Sequence, residues 1–263
     1  MAGSLKLDEK TAAGLERFNK QVIADANVII MHTFPAKYNT VTVHSELQEL
    51  INQSTTPSSP FHLSHASYIT DATVYPPPTS SPAKDEPESK KRKISAEGST
   101  NGAYGLNDSL HATYPNLVHA NKHMRKVHET VKKECEELAM LFDKVKLWIN
   151  LTMPKIEDGD NFGVQIQEEV LNELHRSQES AVSMRDSART DHLNRAKICS
   201  KLIKYPHIED YTYALKEHDE RQLYLARQHL YDLRNVYAVI TDIIHKNLTK
   251  LRTPKGNNSI GLY

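Results

Sequence analysis

His119 and His123 stand four residues apart, the spacing at which a helix turns two imidazoles to one side and can offer them to zinc. A catalytic zinc helix also carries a glutamate inside the motif and draws a third ligand from elsewhere. The residues between these histidines are Ala120, Asn121 and Lys122, and no third ligand is evident. The pair therefore reads as a polar flank beside Ala120 and Met124, and no metal or other cofactor is expected. Other chemical signatures are missing from the sequence: the glycine-rich phosphate loop, the Gly-x-Ser-x-Gly elbow, the Cys-x-x-Cys pair and the Glu-x-x-His set of iron-binding bundles. Glu157 and Asp158 could move protons, but no partner motif accompanies them. Glu134 is an acid inside an apolar stripe, where it reads as reaching the edge or meeting a base such as an arginine. The two cysteines, Cys135 and Cys199, are too few for a disulfide scaffold and suit a reducing compartment. No catalytic residue is expected, and the chain does not read as an enzyme.

One cluster is charged rather than catalytic. Lys90, Lys91, Arg92 and Lys93 form a basic run in a segment rich in Ser and Pro, which suits capture by a nuclear import receptor that reads an extended basic strand. A solvated charge run is the plainer reading of the same residues. Over the whole chain, 33 basic residues balance 33 acidic ones. That balance lacks the broad positive field that holds nucleic acid or anionic lipid, so neither is an expected partner. No apolar run approaches the length of a membrane span, and the charged first ten residues do not read as a signal peptide.

The elements that must carry these residues read as long helices. Only nine glycines occur, and the twelve prolines bunch mid-chain. Residues 5–33 show one apolar helical face, through Leu15, Phe18, Val22, Ala26 and Ile29, which Pro35 is expected to end or kink. Residues 41–51 continue it weakly. From Ser54 to about Thr113 the chain turns polar and aperiodic, and it reads as a disordered loop inside the domain. A second helix is expected from Pro115, with alternating three-four spacing through Leu117, Met124, Val131, Leu138, Val145 and Trp148. Cys135, Phe142 and Ile149 form a second line beside it. Pro154 stops this helix. A third, residues 162–204, buries Ile166, Val170, Leu174, Ala181, Met184 and Ala188, then Leu193, Ala196, Cys199 and Ile203. A fourth, residues 208–251, buries Leu223, Leu230, Tyr237, Ile240 and Ile244, with Val236, Val239 and Ile243 alongside. The fold class is thus all-α: an antiparallel four-helix bundle with long helices. Its segments are residues 1–53 (first helix), 54–114 (loop with the basic run), 115–252 (helices two to four) and 253–263 (mobile tail). The doubled apolar lines point to a second buried side, against another subunit.

One stretch is long and specific enough to carry a family resemblance: Pro-x-Ile-Glu-Asp-Gly-x-Asn-Phe-Gly-Val at residues 154–164. Arg195-Ala196-Lys197, the junction Lys204-Tyr205-Pro206-His207-Ile208-Glu209-Asp210-Tyr211, Leu233-Arg234-Asn235-x-Tyr237 and the ending Leu262-Tyr263 extend it. Together they resemble the REG (eleven-S) family of proteasome activators, gamma type, strongly over residues 115–263 and weakly over the first helix. The resemblance implies a ring of seven bundles that caps the proteasome core particle without nucleotide. The docking tail would be Ile260, Gly261, Leu262 and Tyr263, inserted between α-subunits of the core. The gate-activation loop would comprise Lys155, Ile156, Glu157, Asp158, Gly159, Asp160, Asn161, Phe162 and Gly163. Lys197 would face the channel and influence which peptidase activities respond. Gamma-type members carry a nuclear-import cluster where Lys90–Lys93 stands, which implies a nuclear protein with some cytoplasmic presence. Asp160 departs from the family's usual asparagine and places an acceptor-only charge at the gate contact. The alternative is a helical scaffold or adaptor with no proteasome role.

Overall fold

The computed structural model describes residues 8–38, 46–76, 116–155 and 161–255. All regular elements among the described residues are helical, apart from one isolated antiparallel pairing of Tyr75 with Leu117. Helix α1 spans Glu9–Val28. Its N-cap is Asp8, whose carboxylate accepts from the Thr11 amide at 2.6 Å and so satisfies an orphan donor of the first turn.

Pro35 does not end this helix. A π-helical turn, Ile29–Thr33, follows α1, and the chain continues as α2, Phe34–Tyr38. The Phe34 amide reaches back five residues to Ile29 O, so the widened turn gives way where the proline ring would crowd a tighter one. The gain is the burial of Phe34. Its ring meets Phe142 at 5.4 Å and Tyr237 at 5.5 Å, and these two meet each other at 6.0 Å. Lys37, one turn on, places its ammonium 3.2 Å from Glu134 and 2.8 Å from Glu137. The acid in the apolar stripe thus meets a lysine from α2.

Helix α3, Glu46–Gln53, precedes three long helices: α4, Lys122–Thr152; α5, Phe162–Lys204; and α6, Glu209–Arg252. At about 1.5 Å per residue α5 is roughly 64 Å long. Short connections make α4, α5 and α6 successively antiparallel. Helix α1 packs on α4, and α2 and α3 pack on α6, which completes the bundle. Both apolar lines of α4 are buried within the chain, Cys135, Phe142 and Ile149 included. The second line of α6 differs, with Val239 half exposed.

Two further expectations differ from the structure. Residues 54–76 are not a featureless loop but a strap. Phe61 is buried, a 3-10 turn spans Leu63–Ser67, and His123 Nε2 donates to Pro60 O at 2.6 Å. Local hydrogen bonds supply order where apolar period is lacking: Ser54 Oγ to Ile51 O, His65 to Ser59 O, and the Tyr75–Leu117 pairing. Helix α4 starts at Lys122 rather than near Pro115, because Leu117 is drawn into that pairing and Asn121 caps the Met124 amide at 2.9 Å.

The upper half of α5 also turns another face inward. Leu193 and Ala196 point outward, and Asp191, Arg195 and Leu202 are buried in their place. Asp191 accepts from His128 Nε2 at 3.0 Å and His218 Nε2 at 2.6 Å. Arg195 Nε donates to Asp219 at 3.0 Å, and Asn121 and Thr70 each donate to Asp219 at 2.8 Å. A satisfied polar layer joins α4, α5, α6 and the strap here, which offsets the desolvation of its charges.

Candidate functional site

The loop after α4 and the segment after α6 leave the bundle at the same end. Helix α4 stops at Thr152 because Met153 is extended ahead of Pro154, which a residue before proline favours. Helix α5 opens at Phe162, one residue past Asn161. Helix α6 ends at Arg252, and the chain turns through Thr253 into Pro254.

Side chains then tie these three ends together. The last carbonyls of a helix have no partner within it. Leu251 O is one of them, and the buried Gln167 Nε2 donates to it at 3.0 Å. The Thr152 hydroxyl lies 3.2 Å from the same carbonyl and 3.3 Å from Gln167 Nε2. Lys255 Nζ donates to Lys155 O at 3.3 Å, across from the α6 side to the start of the loop. Lys250 Nζ stands 5.9 Å from the centre of the Phe162 ring, which is more than half exposed. Gly163 presses on Pro254: a Cβ built there would fall 2.6 Å from the Pro254 carbonyl carbon and Cα, closer than real Cβ contacts come.

Of the loop residues named from sequence, Lys155, Phe162 and Gly163 therefore meet the end of α6 or the residues after it, and Asn161 directly precedes Phe162. Ile156, Glu157, Asp158, Gly159 and Asp160 lie outside the described residues, as do Ile260, Gly261, Leu262, Tyr263 and the basic run Lys90, Lys91, Arg92 and Lys93. Lys197 is exposed on α5, about 50 Å of helix rise from Phe162, and so touches none of these groups. His119 and His123 do not converge on a metal. His119 precedes the helix with its ring against Tyr75, and His123 serves the strap. Among the described residues no group of three or more His, Cys, Asp or Glu is arranged to hold a metal ion, and no helix is long and apolar enough to cross a membrane.

Gln167 and Thr152 were missed in the sequence, where Pro254 reads only as the stop of the fourth helix. The contact at Gly163 turns on its missing Cβ, which the sequence shows only as a glycine at the start of a long helix.

Residues 117–261 match the family model for the C-terminal part of the proteasome activator PA28. The chain belongs to this proteasome activator family. The PA28 match takes in α4, α5 and α6 with both segments at the loop end. Likeness to relatives runs further. Proteasome activator complex subunit 3 of Gallus gallus is 31% identical over 270 residues, covering 100% of this chain and 100% of the relative. The solved 11S subunit of the Plasmodium falciparum proteasome, PA28, superposes with a TM-score of 0.68 at 26% identity, over 97% of this chain and 99% of that one. The Trypanosoma brucei activator PA26, solved in complex with the yeast 20S proteasome, shares the fold at a TM-score of 0.50 and 13% identity, over 54% of this chain and 70% of that chain. The four-helix architecture above is thus the fold of PA28-type activators.

Proposed function

We propose that this protein activates the proteasome core particle without hydrolysing nucleotide. Seven copies close into a homo-oligomeric ring that caps the core's α-subunit ring. The tail residues Ile260, Gly261, Leu262 and Tyr263 dock between α-subunits, and the loop from Lys155 to Gly163, Asp160 included, props the gate open. The protein is regulatory rather than catalytic. The observation that carries this reading is the gathering of loop and tail root at one end of the bundle in a chain of the PA28 family. A partner surface met by both segments needs them side by side, and Gln167, Thr152 and Gly163 hold them there.

Ring closure has support in apolar side chains that the chain's own helices leave exposed: Leu15 and Phe18 on α1, Met140 on α4, Val182 and Leu193 on α5. Each tail binds weakly, since it loses freedom on docking, but tails on one ring bind together at high effective concentration. Lys197 faces the channel and biases which peptidase activities respond. Lys90, Lys91, Arg92 and Lys93 engage a nuclear import receptor, so the protein is nuclear with some cytoplasmic presence.

The test separates the two segments. Deleting residues 260–263 abolishes core binding. Replacing Asn161 with a bulky residue spares binding and abolishes stimulated peptide hydrolysis. Binding that survives loss of the tail, or a loop change that removes binding and activity together, contradicts the assignment.

A further inference from the structure

We infer that Gly163, Gln167 and Pro254 are positioning residues that lock the root of the docking tail to the first turn of α5, so that seating the tail sets the placement of the gate loop. This rests on the proposed function and goes beyond it: tail and loop are there two separate tools, and here the root of one is packed against both flanks of the other.

Three observations carry the inference. Gly163 leaves no gap to Pro254, and any side chain at that position must drive the α5 start and the tail root apart. Glycine has no Cβ, and at this position that lets backbone approach backbone. Gln167 lies one turn further along the same helix and is fully buried. Its Nε2 reaches both Leu251 O and Thr152 Oγ1, and thereby joins the ends of α4, α5 and α6 at one point. Lys255, the residue after Pro254, bonds Lys155 O at the other flank of the loop. The tail root is therefore held against both flanks of the loop, by Gly163 on one side and Lys155 on the other.

The consequence is mechanical. Docking of the tail fixes Pro254, and the close packing of Gly163 on Pro254, with the Gln167 bond to Leu251 O, then fixes where α5 starts. A loop held this way stays in place when seven tails are seated. Widen the junction and the tails still reach their pockets, but the loop is no longer held at the matching height.

The experiment uses the full chain with Gly163→Ala and Gln167→Leu, each checked for its assembled mass. It reads core-particle binding and, separately, peptide hydrolysis at saturating activator. Gly163→Ala should assemble as the unaltered protein does and bind the core within about threefold, since the tails and their multivalency are untouched. Stimulation at saturation should fall by about tenfold or more, because a displacement on the order of 1 Å at a contact that must be placed is costly. Gln167→Leu, similar in volume but without the two donors, should fall in the same direction by less. A merely structural role would move assembly and binding and leave the saturated rate per bound ring unchanged. Full stimulation by an assembled Gly163→Ala ring overturns the inference while leaving the proposed function standing. If Gly163→Ala does not assemble, Gln167→Leu decides by the same readouts. Failure of both to assemble also overturns it, since the junction then serves the fold rather than the gate. An unaltered protein that never binds the core overturns the proposed function and this junction's role with it.

Discussion

Replacing Asp219 with asparagine should cost the bundle about 3 kcal/mol, at the lower edge of what removing one partner of a buried pair costs. The carboxylate is almost wholly buried, and Arg195 beside it is 8% exposed. Every group that addresses it is a donor: Arg195 Nε, Asn121 Nδ2 and Thr70 Oγ1. An amide has one accepting end, so its NH2 must face a donor whichever way it turns, and the guanidinium loses its counter-charge. The figure stays near 3 rather than 5 because Arg195 keeps a bond to His119 O at 3.1 Å. For a chain of this size that is a fall in Tm of about 6–12 °C. Calorimetry at neutral pH measures it. Limited proteolysis adds a local readout, because Thr70 belongs to the strap and residues 54–76 should become more susceptible to cleavage. Adding Arg195→Met should recover part of the loss, since removing both charges avoids a stranded one. A Tm within about 2 °C of the unaltered protein, or a double variant whose losses simply add, would refute the reasoning.

Other expectations follow from the same structure. Burial pushes the Asp191 carboxyl up, but hydrogen bonds from His128 and His218 outweigh this and hold it well below the usual carboxylate range. A carboxyl with a lowered folded pKa stabilises the protein above its unfolded value, about 3.9, and that contribution is lost as pH falls further. Asp191→Asn should therefore lower stability at pH 7 and flatten its acid limb below about pH 4 in pH-dependent denaturation. Phe34→Ala empties the space between Phe142 and Tyr237 and should cost about 3–5 kcal/mol in denaturant unfolding. Lys197→Glu should change the ratio of stimulated peptidase activities while ring mass is unaltered; unchanged ratios in an assembled ring would remove Lys197 from the channel account. Alanines at Lys90, Lys91, Arg92 and Lys93 should shift the protein out of the nucleus with its ring intact, as imaging would show.

The long helices were legible because a buried stripe repeats at helical spacing over several successive turns. Phe142, Trp148, Leu174, Leu230 and Ile244 all lie where that spacing puts them. Legibility failed where something other than apolar period decides burial. At the top of α5, Leu193 and Ala196 carry the apolar pattern, yet Asp191 and Arg195 are inside, since His128, His218 and Asp219 come from distant parts of the chain to pair with them. The strap was hidden for a related reason. Its order comes from single anchors such as Phe61 and Thr70, which leave no period. Of the two outcomes expected at Pro35, an end or a kink, the helix does not end, because a π-turn upstream absorbs the proline. The motif at residues 154–164 carries the family resemblance, but the junction beside it was not legible, since Leu251 enters it by a backbone carbonyl that no sequence pattern marks.

The central claim is that this chain opens the proteasome core. The most direct measurement is hydrolysis of a fluorogenic peptide by purified core particle in nucleotide-free buffer, with and without the protein. The account predicts a several-fold rise that saturates at one ring per end of the core and disappears when residues 260–263 are removed. Hydrolysis that stays at the basal rate with saturating, assembled protein would contradict it.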